Sequence, residues 1–313
     1  MAAGRAWPST GVVRRRRGIR MKFSEIYSSS GSPVISFEVF PPKTSRGMDS
    51  LRDVLARLVA LEPRFMTVTY GAMGTTRSRT VEIASMIHND LGIECACHLT
   101  CVGAPRDQID GQLEHIHRQG IENIVALRGD PPRGQDSFQA VKGGFSWANE
   151  LVEHIRSKGL FDIAVGGYPE KHVEAPDLDT DLDNLARKVK SGADVVITQL
   201  FYDNEPFFRF REEAWKRGVA CPVVPGLLPI HSLAQVEKLA SLCGAAIPAE
   251  LQDRLVAAGD DPEAAAEVGA AWCIEQCAGL LAAGVPGIHY YVLNKAPVME
   301  RVIAGLRQRE LLI

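Results

Sequence analysis

The chain has 313 residues, 46% of them hydrophobic and 23% charged, with a formal net charge of −3. That balance suits a globular protein with a large core. It offers no strongly basic surface for nucleic acid or an anionic membrane, and no apolar run approaches the roughly 18 residues that a membrane span needs.

Residues 1–22 stand apart, with four consecutive arginines at Arg14–Arg17 and little periodicity. A transit peptide shares that composition. The plainer reading is a disordered basic extension, with Met21 as an alternative start, followed by one domain over 23–313. From there short apolar runs alternate with amphipathic stretches. Strands are predicted at 34–40, 65–70, 94–101 and 123–128, then at 162–168, 195–201, 222–228 and 287–293. They are β-branched and almost continuously apolar, as strands buried on both faces must be. A helix over 48–61 has Leu51, Val54, Leu55 and Leu58 on one face. A second over 181–190 presents Leu182, Leu185 and Val189, and a third over 231–243 presents Leu233, Val236 and Leu239. Gly92, Gly120, Gly159, Gly192, Gly218 and Gly244 follow helical stretches as left-handed caps. An extra helix is expected over 247–259. Eight strand–helix alternations predict an α/β fold, a single-domain (β/α)8 TIM barrel. An open doubly wound sheet is the alternative, and no G-x-G-x-x-G opens a helix after any strand to support it.

The seven cysteines are odd in number and scattered through apolar segments. They read as reduced core residues of a cytoplasmic protein. Cys95, Cys97 and Cys101 lie close together, but no second ligand pair follows, so no metal is expected.

In such a barrel reactive groups gather where strands end. Glu38 lies inside the run Ser36-Phe37-Glu38-Val39-Phe40. Burial raises a carboxyl pKa, so this residue is expected to hold a proton and act as a general acid. The alternative is a carboxylate paired with Lys or Arg. Strand two ends in Thr69-Tyr70, and strand three carries His98, which on its own reads more simply as a satisfied core histidine. Strand four ends in Arg128-Gly129-Asp130 before two prolines, and strand five in Tyr168-Pro169-Glu170-Lys171-His172. Gln199 interrupts the apolar sixth strand. A buried amide suits the edge of a heterocycle or a bond to neighbouring backbone. Asp181, Asn184 and Lys188 share a helix face beside Arg187. That face is either solvated or a surface for phosphates and a ribose.

Together these segments resemble the flavin-dependent methylenetetrahydrofolate reductases. The likeness runs through SFEVFPPKT (36–44), VTYGA (68–72), HLTC (98–101) and IVALRGDPP (124–132). It continues through YPEKHVEA (168–175), ITQLFYD (197–203), PGLLPI (225–230) and HYYVLNK (289–295). The resemblance implies a barrel that binds FAD non-covalently, is reduced by NADH or NADPH, and converts 5,10-methylenetetrahydrofolate to 5-methyltetrahydrofolate in alternating half-reactions. It places Glu38 as the acid that protonates folate N10, and Asp130 beside the flavin and the cation formed. Gln199, Gln235 and Lys295, with Asp130, fall on folate-contacting positions. Thr69, Tyr70, His98, Arg128, Gly129, Asp130, Trp147, Ala148, Tyr168, His172, Ala175, Asp181, Asn184, Arg187 and Lys188 fall on cofactor-contacting positions.

Leu239 departs from the phenylalanine of some bacterial members, and Trp147 from a frequent tyrosine. The chain ends soon after strand eight, so regulation by S-adenosylmethionine is not expected. The partners implied are small molecules, without nucleic acid or membrane, and a homo-oligomer is expected. Three other readings are weighed: another flavin-barrel amine oxidoreductase resembling proline dehydrogenase, a non-catalytic flavin- or folate-binding subunit, and a metal-dependent barrel hydrolase or aldolase.

Overall fold

Strands apolar on both faces need cover on both, and a closed barrel ringed by helices supplies it. The computed structural model describes residues 20–70, 77–131 and 138–312. All eight predicted strands form: β1 Val34–Val39, β2 Phe65–Val68, β3 Glu94–Thr100, β4 Asn123–Leu127, β5 Asp162–Gly167, β6 Val195–Leu200, β7 Val223–Leu227 and β8 Gly287–Tyr291. They pair in parallel and in chain order, and β8 closes on β1. Most stop one or two residues short of the apolar run, because apolar residues continue after the chain leaves the ladder. Pro222 has no N–H to donate to the ladder, and there its carbonyl accepts from the Val196 amide at 2.9 Å.

The helices are α1 Phe23–Ser29, α2 Ser45–Val59, α3 Arg77–Ser85, α4 Arg106–Arg118, α5 Ala148–Ser157 and α6 Leu178–Lys190. They continue as α7 Asn204–Lys216, α8 Leu233–Cys243, α9 Ala249–Ala258, α10 Pro262–Ala282 and α11 Pro297–Gln308. The extra helix expected over 247–259 is α9. The predicted faces are the buried ones: Leu51, Leu55 and Leu58 on α2, Leu182 and Leu185 on α6. Side-chain caps start several helices. Thr44 accepts from the Gly47 amide, Asp177 from Thr180 and Ser232 from Gln235. All six glycines read as caps take positive φ.

Helix α1 was not predicted, and it closes the N-terminal end of the barrel. Phe23 and Ile26 pack among Val34, Phe65, Ala96, Val125, Ala164 and Val195, and the Phe23 ring meets Phe65 edge-on at 5.1 Å. The first amides of a helix lack intrahelical partners. Here the amide of Phe23 donates to Asn123 Oδ1 at 2.8 Å, and that of Ser24 to Asp162 Oδ2 at 2.9 Å. Asn123 and Asp162 are register partners at the starts of β4 and β5. Residues 1–19 of the N-terminal stretch lie outside the described residues, as do Gly71, Ala72 and Pro132 of the sequence motifs. Arg20 pairs with Glu122 at 3.7 Å, and the Met21 carbonyl accepts from Asn123.

Phe23→Ala is expected to cost about 3–5 kcal/mol of unfolding free energy, as for other buried aromatic truncations. Equilibrium unfolding in urea measures it. An unchanged midpoint would show that the plug contributes nothing to stability.

Candidate functional site

Barrel closure decides what surrounds Glu38. The β1–β2 register sets Glu38 opposite Thr67, and the β1–β8 register sets Ser36 opposite His289 and Glu38 opposite Tyr291. Residues two apart on a strand share a face, so Ser36 and Glu38 both point inward. The Thr67 hydroxyl donates to Glu38 Oε2 at 3.2 Å. His98 Nε2 lies 3.1 Å from the same oxygen, and His289 Nε2 lies 3.6 Å from it. Both Nε2 atoms are buried and have no other partner among the described residues. Ser36 Oγ sits 2.8 Å from His289 Nδ1 and holds that ring in place.

This arrangement corrects one expectation. Glu38 is half-buried, and its desolvation works against its ionisation. The charge on His98 and the close polar contacts from both imidazoles outweigh that and hold the carboxyl down, to about 2 against an ordinary 4.5. The surroundings of Glu38 thus favour the carboxylate over the protonated acid. Its partners are histidines, not the Lys or Arg of the alternative reading. His98 is not merely a satisfied core residue.

Above Glu38 opens a cavity of about 600 Å³, within the roughly 300–1,000 Å³ of small-molecule sites. Its base is apolar, from Val125, Leu127, Ile197 and Leu200, while Thr69, Tyr70, Gln199 and Asp130 bring polar groups to its wall. Gln199 reaches it through an irregularity. The β6–β7 register shifts between Ile197 and Leu200, as a bulge does when it re-aims a side chain. There the Gly226 amide donates to Thr198 Oγ1 at 2.9 Å, and Tyr291 Oη donates to the Thr198 carbonyl at 2.6 Å. A Cβ on residue 226 would lie 2.1 Å from that carbonyl, so glycine is required. Gln199 Oε1 accepts from the Leu200 amide at 3.0 Å, leaving its amide nitrogen for a ligand.

The wall formed by β4 and β5 suits a flat, anionic cofactor. The Thr100 hydroxyl is buried, lines the cavity and lacks a partner. Gly129 has φ +86, and a Cβ there would stand 2.6 Å from Val102 Cγ2, so backbone alone faces the cavity. Arg128 crosses Phe138 at 5.2 Å and forks onto Glu174 with two bonds of 2.6 Å. Tyr168 and His172 meet edge to face at 4.6 Å. The His172 amide donates to Asp181 Oδ2, and Lys188 Nζ donates to the Gly166 carbonyl at 2.5 Å. Burial pushes the Lys188 ammonium down to about 8, against the pull of Asp181. Asp181 and Lys188 are thus turned inward, not part of a solvated face.

Other expected residues lie away from the cavity wall. Arg187 is bonded to Asn184 at 2.9 Å, farther along α6. Trp147 is 58% exposed at the start of α5, with Ala148 the first helical residue. Ala175 accepts from Lys171 Nζ in the β5–α6 loop. Lys295 is exposed in the turn after β8. Gln235 departs from expectation: its Oε1 accepts from the His231 amide at 2.7 Å and its amide nitrogen reaches Pro229 O. It closes the start of α8 instead of lining the cavity. Leu239 and Cys243, one turn apart on α8, do line it.

Sequence reasoning missed Ser36, Thr67 and His289. The signal was present for Ser36, two residues before Glu38, but the partners across the closure follow only from register. Among the described residues no cluster of three or more His, Cys, Asp or Glu is placed to hold a metal ion. None of the helices described is long and apolar enough to cross a membrane.

Comparison with known proteins narrows the chemistry. The family model of methylenetetrahydrofolate reductase matches residues 22–307. The 5,10-methylenetetrahydrofolate reductase of Escherichia coli is 36% identical over 94% of this chain and 97% of its own. The Arabidopsis thaliana protein named methylenetetrahydrofolate reductase (NADH) 1 is 44% identical over 85% of this chain. The chain spans about half the length of such plant relatives, 47% in that case. In fold it is similar to a Clostridium thermocellum protein described as binding two copies of 5-methyl-5,6,7,8-tetrahydrofolic acid. That match has a TM-score of 0.60 and 16% identity, and covers 91% of this chain and 97% of the other. With a family match over nearly the whole domain, the chain belongs to the methylenetetrahydrofolate reductase family.

Proposed function

We propose that this chain reduces 5,10-methylenetetrahydrofolate to 5-methyltetrahydrofolate, with FAD held non-covalently and NADH or NADPH as donor. The observation that carries the reading is Glu38, a half-buried carboxyl between two imidazoles at a cavity with Asp130 at its lip. The Arabidopsis relative's name supports NADH as the donor. Seven free cysteines support a reducing compartment, and we place the protein in the cytoplasm.

A flavin fits the cavity's apolar base, the orphaned Thr100 hydroxyl and the bare backbone at Gly129. Arg128, His172 and Lys188 supply positive charge or donors along the same wall, and Asp181 orients the His172 backbone. The cofactor supplies transfer of reducing equivalents from nicotinamide to folate. The chain's own residues manage protons and charge. Glu38 passes a proton to N10 of the folate and opens its five-membered ring. The Nε2 atoms of His98 and His289, 3.1 and 3.6 Å from Glu38 Oε2, are placed to return a proton to it. Ser36 keeps the His289 ring aimed at Oε2. Asp130 faces the cation left on the folate and stabilises it. Gln199 reads the edge of the pterin with its amide nitrogen.

The first test is optical. The purified protein should be yellow, or become so on adding FAD. Anaerobic NADH should bleach it and methylenetetrahydrofolate restore the colour. A protein that takes up no flavin would overturn the assignment. In Glu38→Gln, bleaching by NADH should persist, while recolouring by folate slows about 10²–10⁴-fold, the usual worth of a general acid. Unimpaired recolouring would remove Glu38 from the proton path.

The second test is stability against pH. A carboxyl lowered from 4.5 to about 2 on folding contributes stability that is complete above the higher value and lost as pH falls toward the lower. Glu38→Gln should therefore flatten the acid loss of stability across that window, read from urea midpoints at stepped pH. Parallel curves for the two proteins would mean that Glu38 is not ionised in the fold.

A further inference from the structure

The turn that follows β8 carries unusual backbone. Leu293 has φ 49 and Asn294 has φ 54, the only adjacent pair of non-glycine residues at positive φ among the described residues. Asparagine tolerates the left-handed region because its side chain can bond locally. Leucine has no such compensation. Strain of this kind persists only where surrounding structure holds it, and it gathers at functional sites.

The holding contact is the Asn294 side chain. Its Oδ1 accepts from the Phe40 amide at 3.0 Å, and its Nδ2 donates to the Phe40 carbonyl at 2.8 Å. The last register pair between the two strands is Glu38 with Tyr291. Beyond it the backbones diverge, and one side-chain amide does what a further ladder step would have done. Phe40 is two residues after Glu38. Leu293 lines the cavity, and Lys295 follows Asn294, with its amide tied to the Val292 carbonyl at 2.9 Å.

We propose that Asn294 is a positioning residue for the folate half of the reaction. Its amide clasps the chain after β1 to the turn after β8, so that Glu38 and Leu293 address one bound folate in fixed relation. The inference rests on the proposed function for its substrate and on the clasp geometry for its residue. The clasp touches neither Arg128, Tyr168, His172 nor Lys188, so it acts on folate and not on flavin retention.

The test compares Asn294→Ala and Asn294→Gly. Glycine keeps the left-handed freedom but loses both side-chain bonds, which separates clasp from backbone strain. Both variants should keep flavin content and the rate of bleaching by NADH. In both, kcat/KM for methylenetetrahydrofolate should fall about tenfold, as expected for losing one or two neutral hydrogen bonds. A glycine variant with unaltered folate kinetics would overturn the proposal, because strain relief alone would then suffice. So would an equal loss in bleaching and in folate turnover, the mark of a general structural defect. Amide hydrogen exchange at Phe40 provides a reading that needs no folate. It should quicken about tenfold in both variants with the loss of that bond, and unchanged exchange would refute the clasp. If the wild type reduced no folate while Phe40 exchange responded, the functional reading would fall and the clasp would stand.

Discussion

Closure of β8 onto β1 is the constraint on which the site depends. Among the described residues Glu38 has no lysine or arginine to neutralise it. Its nearest charged partners come from β3 and β8, strands 60 and 251 residues away in sequence when counted to His98 and His289. A slip of one residue in the β1–β8 ladder would turn His289 out of the barrel and leave a half-buried carboxylate short of a partner. Removing one member of such a group is costly because the charge left behind stays desolvated. Barrel closure and site electrostatics therefore reinforce one another.

The cluster sets opposing influences on one carboxyl: burial favours the neutral acid, and the contacts from His98 and His289 favour the anion. A substrate that displaces water from the cavity strengthens every charge interaction there. Asp130, at the lip of the same cavity, is more open to solvent than Glu38.

Much of the architecture was legible in the chain. Continuous apolar runs and glycine caps located eight strands, because both signals are local. The strand-end residues Arg128, Gly129, Asp130, Tyr168 and His172 were legible because the barrel fixes where strands terminate. What escaped was non-local. His289 meets Ser36 through a register that no single segment encodes. Gln199 was singled out, but the ladder shift beside Gly226 that aims it was not, and Gln235 turns to the start of α8 because a backbone amide there needs an acceptor. Helix α1 was too short for periodicity to show, with only Phe23 and Ile26 buried. The histidine partners of Glu38 escaped for the same reason: burial can be guessed from sequence, but partners cannot.

Helix α1 has a consequence for how the molecule assembles. It precedes every strand, yet the side chains that receive its first amides lie 100 and 138 residues later. During synthesis at roughly 5–20 residues per second, α1 emerges well before β4 and β5 exist. Seven residues are too few to be stable as an isolated helix. The plug is thus made first and seated late, and its apolar face must wait exposed until more than half the barrel is complete. That interval is when the nascent chain most needs protection from premature association. Docking of α1 then reports that the first five strands have found their register.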